Sequence, residues 1–318
     1  MSQPHPVAFA TLTLAPAIDC TVMLAQPLSP GHVHLATRET SRPGGKGINV
    51  AKVLASRGCT VAAGGLLGQD NAVVFERMLS AMDVRDRFMR VPGETRTNMM
   101  IIDGRHEYKI NRPAFPTLAY EEAFVRGAVI QLVANAEVVI ISGSQPRSFP
   151  VETFARIVRT LKAMGRTVVV DTSGESLRES VRARPDIIKP NRHECEQLVG
   201  YKLTTPAKFL QACAELLQHH EVVIISDGHE GAWFAQGDLA LHATAPAVGV
   251  VDTTAAGDML LGEFCMGYFP ERKLTPQVVG RAAAMGAAAV EQPSSDCPPP
   301  SRVDELVRLS IVTEHKLP

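Results

Sequence analysis

The sequence has no excess of charge of either sign: 32 Lys and Arg stand against 33 Asp and Glu, a formal net charge of −1. A broad basic face of the kind that holds nucleic acid is therefore not expected. No apolar run approaches the roughly 20 residues needed to cross a bilayer. The opening MSQPHPVAFATLT has neither the basic start nor the long apolar stretch of a signal peptide. Six cysteines, at positions 20, 59, 195, 213, 265 and 297, include no CxxC pair, which argues against a zinc ribbon and against a disulfide framework. There is no internal repeat and no long low-complexity segment. What remains is ordinary globular usage, 45% hydrophobic and 20% charged over 318 residues, enough for a large core. The expectation is a soluble cytoplasmic protein of enzyme size, with neither membrane nor nucleic acid as partner.

Short β-branched runs alternate with longer Ala/Leu/Arg-rich segments. Val138-Val139-Ile140-Ile141, Val168-Val169-Val170, Ile187-Ile188 and Val222-Val223-Ile224-Ile225 are separated by helical stretches, among them 151–163 and 206–218. Strands that are apolar on both faces, joined by helices, predict a doubly wound, mostly parallel α/β sheet with helices on both sides. Residues 16–42 and about 88–112 break this rhythm with mixed, charged segments such as Arg105-His106-Glu107-Tyr108-Lys109. They predict short strands, either surface hairpins or two insertions meeting as one small β-sheet lid on a single domain spanning 1–318. Residues 292–301, rich in Pro and Ser, read as a loop before a final short helix.

Four clusters carry chemistry. Pro43-Gly44-Gly45-Lys46-Gly47-Ile48-Asn49 leads into a helix, so its backbone can approach a ligand closely and offer N–H groups to oxygen atoms. It is not a Walker loop, because Gly47 rather than Ser or Thr follows Lys46, and a plain glycine turn explains it equally well. Asp252-Thr253-Thr254-Ala255-Ala256-Gly257-Asp258 also precedes a helix. The N–H groups of Ala255, Ala256 and Gly257 would form an anion hole, with Asp258 placed to take a proton from an attacking hydroxyl; the bland alternative is a helix-capping Asp. Asn191 and Glu194, three apart after a strand, suit a Mg²⁺ held through water or a simple capping pair. Ser226-Asp227-Gly228-His229-Glu230-Gly231 follows another strand and suits a nucleotide pocket or a tight strand-to-strand turn.

The order of these pieces resembles the ribokinase-like (PfkB) carbohydrate kinases, and within them the phosphofructokinase and tagatose-6-phosphate kinase branch. The resemblance also draws on Leu14-Ala15-Pro16-Ala17-Ile18-Asp19, Gly93-Glu94-Thr95-Arg96-Thr97-Asn98, Ile141-Ser142-Gly143-Ser144 and Val170-Asp171-Thr172-Ser173-Gly174. It implies that Asp19, Gly45 and Asn49, within the motif that starts at Gly44, hold sugar hydroxyls, with Lys46 in the same pocket. Arg96, with Asn98 close by, matches the residue that contacts the substrate phosphate, and Ser144 a substrate-side serine. Lys189, Asn191 and Glu194 match the motif that arranges Mg²⁺ and the ATP phosphates. Ser226, Gly228 and Gly231 match the nucleotide turn, and Asp258 the catalytic base. Asp252 and the backbone of Thr254 resemble a monovalent-cation site of some members, which would add K⁺ to ATP and Mg²⁺. The lid would also form a homodimer contact.

The chain departs from the branch at Ala15, at Gly31-His32-Val33-His34 in place of a basic pair, at Ala255 in place of glycine and at Pro113-Ala114. The implied reaction is direct, in-line phosphorylation of a ketohexose phosphate by ATP. Its rivals are a kinase of an unphosphorylated sugar or nucleoside, and a nucleotide-dependent regulator that kept the fold without turnover.

Overall fold

The computed structural model describes residues 8–113, 118–292 and 296–318. Its strands in chain order are β1 (Phe9–Thr13), β2 (Ala17–Leu24), β3 (Ala36–Gly44), β4 (Val61–Gly68), β5 (Arg85–Val91), β6 (Thr97–Ile102), β7 (Glu107–Ile110), β8 (Val138–Ser142), β9 (Thr167–Asp171), β10 (Ile187–Ile188), β11 (Val222–Ser226), β12 (Ala232–Gln236), β13 (Leu239–Ala243) and β14 (Val312–Lys316). Ten of them form one sheet in the order β14-β13-β12-β11-β10-β9-β8-β1-β4-β5. From β5 to β11 every neighbouring pair is parallel, and β12 to β14 add antiparallel strands at one edge.

The four apolar runs are β8 to β11, and their side chains divide among three hydrophobic cores on the two faces of the sheet. Val138 and Ile140 pack with Ile48, Leu54, Leu261 and Phe264 on one face. Val139 and Ile141 pack with Phe154, Ile157, Val158 and Leu161 on the other. A strand alternates its side chains across the sheet, so a run apolar at every position must be covered twice. The covering helices are Lys46–Ser56 and Ala256–Tyr268 on the first face and Thr153–Ala163 on the second. The antiparallel edge starts at the tight turn after β11, one of the two readings of 226–231, while β14 joins β13 only after three intervening helices, a pairing that no local pattern announces.

β1 lies between β4 and β8, so the chain winds outward from it in both directions. The carboxyl ends flanking such a reversal open a crevice where ligands of α/β sheets bind. Above it stands a second, four-stranded sheet in the order β3-β2-β6-β7. This is the small sheet expected from the two irregular segments, although residues 88–91 belong to β5 and hence to the large sheet. Of the departures noted above, Ala114 lies outside the described residues.

Helix Ala256–Tyr268 begins behind Ala255, whose backbone is left-handed at φ 67° and ψ 0°. A Cβ in that region is strained by about 1–2 kcal/mol, which glycine escapes. Ala255→Gly is therefore expected to stabilise the fold by about 0.5–1 kcal/mol, net of glycine's added freedom when unfolded. Denaturant titration checks this; a variant no more stable than the parent contradicts it.

Candidate active site

The lid contributes its residues by register. Asp19 on β2 is paired with Arg42 on β3 on one side and with Asn98 on β6 on the other. Asn98 Nδ2 donates to Asp19 Oδ1 at 3.0 Å, so the carboxylate is held across strands. Its other oxygen explains Gly44, where a Cβ would stand 2.0 Å from Asp19 Oδ2. The first glycine of the motif thus makes room for a neighbouring side chain. At Gly45 φ is 137° and a Cβ would press on Thr13 Cγ2 at 2.7 Å; the chain turns there into helix Lys46–Ser56, which starts without a side-chain cap.

Asp258 is buried at 5% exposure in the first turn of helix Ala256–Tyr268. Asn49, from the helix after Gly45, donates through Nδ2 to Asp258 Oδ2 at 2.9 Å. Burial, together with the nearby negative charge of Asp171, pushes the Asp258 carboxyl up to about 6, while Lys46, Asn49 and Lys189 pull the other way. A carboxylate so placed is basic enough to accept a proton near neutral pH and is still ionised there.

Asp171 ends β9 and is buried at 1% exposure between two lysines. Lys189 Nζ lies 3.2 Å and Lys46 Nζ 3.4 Å from its Oδ1, while its Oδ2 is buried with no hydrogen-bond partner. Chiefly through Asp171, the Lys46 ammonium is held above its ordinary value. Lys189 itself is 4% exposed, and a Cβ at Gly257 would come within 3.3 Å of its Nζ. The ammonium therefore lies against the backbone that starts the Asp258 helix. Motif reading had placed Lys46 and Lys189 in separate pockets and had given Asp171 no role. A carboxylate at the carboxyl end of a buried parallel strand was the available signal.

Asn191 and Glu194 form a complete capping box for helix Arg192–Val199. Glu194 N donates to Asn191 Oδ1 and Asn191 N donates to Glu194 Oε2, both at 2.9 Å. The capping geometry is thus present, and both residues also line the cavity described next. Thr254 N donates to Asp252 Oδ1 at 2.8 Å.

These groups converge on a cavity of about 540 Å³, lined by Asp19, Gly45, Lys46, Asn49 and Asn98 and also by Lys189, Asn191, Glu194, Ser226, Asp252, Thr254, Ala255, Gly257 and Asp258. A second, more apolar cavity of about 550 Å³ adjoins it. Ala247, Val248, Leu260 and Ala287 wall it, with Gly228, Gly231 and Ala256. Ser226 and Gly257 line both cavities. The turn after β11 is at once the tight strand-to-strand connection and a wall of this pocket: it is a short helical turn, Gly228–Glu230, and a Cβ on Gly231 would stand 2.0 Å from Ala243 O.

Gly44, Ser144 and Arg96 do not line either cavity. Ser144 is exposed. Arg96 is half-buried at the base of the lid, where its Nη2 donates to Ala15 O at 3.2 Å and its Nη1 to Arg112 O at 3.3 Å. Its Nε is buried without a partner. The lid cations that do line the cavity are Arg42 and Lys109. Arg42 belongs to no motif in the sequence; its lid register brings it beside Asp19.

A family profile described as "pfkB family carbohydrate kinase" matches residues 12–302. A protein named 1-phosphofructokinase from Vibrio cholerae is 34% identical over 286 residues, covering 89% of this chain and 89% of its own length. A tagatose-6-phosphate kinase from Staphylococcus epidermidis is 30% identical, covering 89% of this chain and 92% of its own. Among solved structures, phosphofructokinase-2 from Escherichia coli in complex with potassium superposes with a TM-score of 0.85 at 24% identity, over 95% of this chain and 99% of that one. With the profile spanning nearly the whole chain and the enzymatic relatives matching along its length, this protein belongs to the pfkB family of carbohydrate kinases, in the phosphofructokinase and tagatose-6-phosphate kinase branch.

Proposed function

We propose that this kinase transfers the γ-phosphoryl group of ATP directly to a hydroxyl of a ketohexose phosphate, with fructose 1-phosphate the first candidate and fructose 6-phosphate and tagatose 6-phosphate next. The observation that carries the reading is the place of Gly257, whose backbone lies between the polar cavity and the apolar one. In this reading the apolar cavity takes the adenine and the polar cavity the sugar. The transferred group then meets the N–H groups of Ala256 and Gly257 at the start of helix Ala256–Tyr268, where the helix itself supplies no acceptor, whereas Asp258 N already donates to Ala255 O. Asp258 removes the proton of the attacking hydroxyl. Lys46 and Lys189 offset charge on the group in flight, and Asp19, Asn49 and Asn98 orient the sugar. The ranking of fructose 1-phosphate rests on relatives named 1-phosphofructokinase.

The residues fit a hydrated Mg²⁺ that arrives with the nucleotide. The capping box occupies one carboxylate oxygen of Glu194, and no group of three His, Cys, Asp or Glu able to hold a metal exists among the described residues. Asn191 and Glu194 would hold the ion through water, and it would neutralise phosphate charge when bound. Asp252 and the backbone of Thr254 are the proposed K⁺ ligands.

A cytoplasmic homodimer is part of the proposal, and the exposed lid supports the pairing. Val33 and Leu35 are 92% and 84% exposed, and Ile110 on the edge strand β7 is 51% exposed. Edges and apolar groups of this kind are usually covered. Light scattering at micromolar concentration should give twice the chain mass; a fully active monomer contradicts the dimer.

Asp258→Asn is expected to lower kcat by about 10²–10⁴, the usual value of a general base. With the folded pKa raised above the unfolded one, the folded state binds the extra proton between the two values, so stability falls as pH rises through that window. The variant should accordingly melt no lower than the parent. For the same reason kcat/KM of the parent should fall below about pH 6 as Asp258 takes up a proton. An activity above about a tenth of the parent's, or a pH profile flat down to pH 4.5, removes Asp258 as the base.

Arg96 is proposed to hold the substrate phosphate together with Lys109, its guanidinium leaving the carbonyl oxygens of Ala15 and Arg112 for the cavity that Lys109 lines. Arg96→Ala should reduce kcat/KM for the best phosphosugar at least about a hundredfold, while the KM for ATP changes less than about threefold. A parent enzyme that prefers free fructose, ribose or a nucleoside over every phosphosugar would replace this substrate class with an unphosphorylated one.

A further inference from the structure

Lys52 has no part in the reaction as described, yet it touches a residue that does. It lies three positions after Asn49 on helix Lys46–Ser56, a spacing that puts both on one face. Its Nζ is 3.4 Å from Asn49 Oδ1 and 3.4 Å from Pro43 O. Asn49 is 5% exposed, and its Nδ2 makes the 2.9 Å bond to Asp258. A side-chain amide can sit in either of two flips, but an ammonium only donates. Only the flip with Oδ1 toward Lys52 lets the ammonium donate to it, and that flip turns the NH₂ group toward the base. We propose that Lys52 is a positioning residue that sets the amide orientation of Asn49 and so keeps a hydrogen-bond donor on the catalytic carboxylate.

The chemistry follows from what each orientation favours. A donor facing Asp258 stabilises its ionised form, the form that can accept a proton. A reversed amide would present an oxygen and favour the protonated carboxyl, which is inert as a base. Lys52 is itself fixed from several sides. Asp19 on β2, Arg42 and Pro43 on β3, and Asp296 and Cys297 all face it; burial lowers its pKa, and the Asp296 carboxylate works against that. Around Asp258 the remaining charges are Asp171, Lys46 and Lys189. They reach the carboxylate without passing through Asn49, so they stay in place when Lys52 is changed.

The inference rests on Asp258 as the base and is tested by pH profiles of Lys52→Met, Lys52→Arg, Asn49→Ala and the Asn49→Ala/Lys52→Met pair, with ATP and the best phosphosugar. Lys52→Met should lower kcat about fivefold to tenfold and move the acid limb of kcat/KM upward by about half a pH unit or more. Lys52→Arg, which restores a donor, should keep the parent limb and stay within about threefold in kcat. In the Asn49→Ala background Lys52→Met should add less than about twofold, because its effect travels through the missing amide. Should Lys52→Met fail to fold by circular dichroism, Lys52→Gln takes its place: its amide offers an oxygen as readily as hydrogens and no longer forces the flip. An unmoved acid limb, or an effect that multiplies fully with Asn49→Ala, overturns the role. A failure of the base assignment itself appears separately, as retained activity in Asp258→Asn.

Discussion

Two carboxylates, Asp171 and Asp258, are buried in one site, and the surrounding structure answers the electrostatic difficulty this creates. An ion taken from water loses several kcal/mol of solvation, and a like charge nearby adds to the loss. Lys46 and Lys189 share Asp171 Oδ1, and Asn49 supplies a neutral donor to Asp258. The result is asymmetric. Asp171 is tied to two cations, whereas Asp258 keeps a raised pKa and with it the capacity to take a proton. Asp171 comes from the end of β9, Lys189 from the segment after β10, and Lys46 and Asn49 from the helix after β3; only the assembled sheet brings them together.

The same architecture divides the cavity lining between two sheets. The large sheet presents rigid strand ends and a helix start, where charge is handled. The small sheet carries Asp19 and Asn98 in adjacent strands and adds Arg42 and Lys109 to the cavity lining. The apolar cavity draws its walls from the loop before Asp252 and from the two long helices behind it. The two cavities meet at Gly257, where a Cβ would come within 3.3 Å of Lys189 Nζ.

Much of this was legible in the sequence because it is local. Runs apolar at every position announced a sheet covered on both faces, and β8 to β11 lie where those runs do. The small residues before Asp258 announced a bare helix start. Asn191 and Glu194 were legible in two ways, and the capping box is the one seen in the geometry. What escaped is non-local. The sharing of Asp171 between Lys46 and Lys189 spans 125 residues in the case of Lys46, and no local spacing encodes it. The demand for glycine at position 44 comes from Asp19 on another strand. Arg42 enters the cavity through lid register alone, and Arg96, prominent in its motif, turns toward backbone carbonyls at the base of the lid.

The central claim is that the phosphoryl group passes in one step between pockets that meet at Gly257, with Asp258 serving as a base and never as a nucleophile. Its most direct test is the stereochemical course at phosphorus, followed with ATP made chiral at the γ-position by oxygen isotopes. A single in-line displacement predicts inversion of configuration in the sugar product. Retention would require two successive displacements through a phosphorylated side chain and would contradict the account.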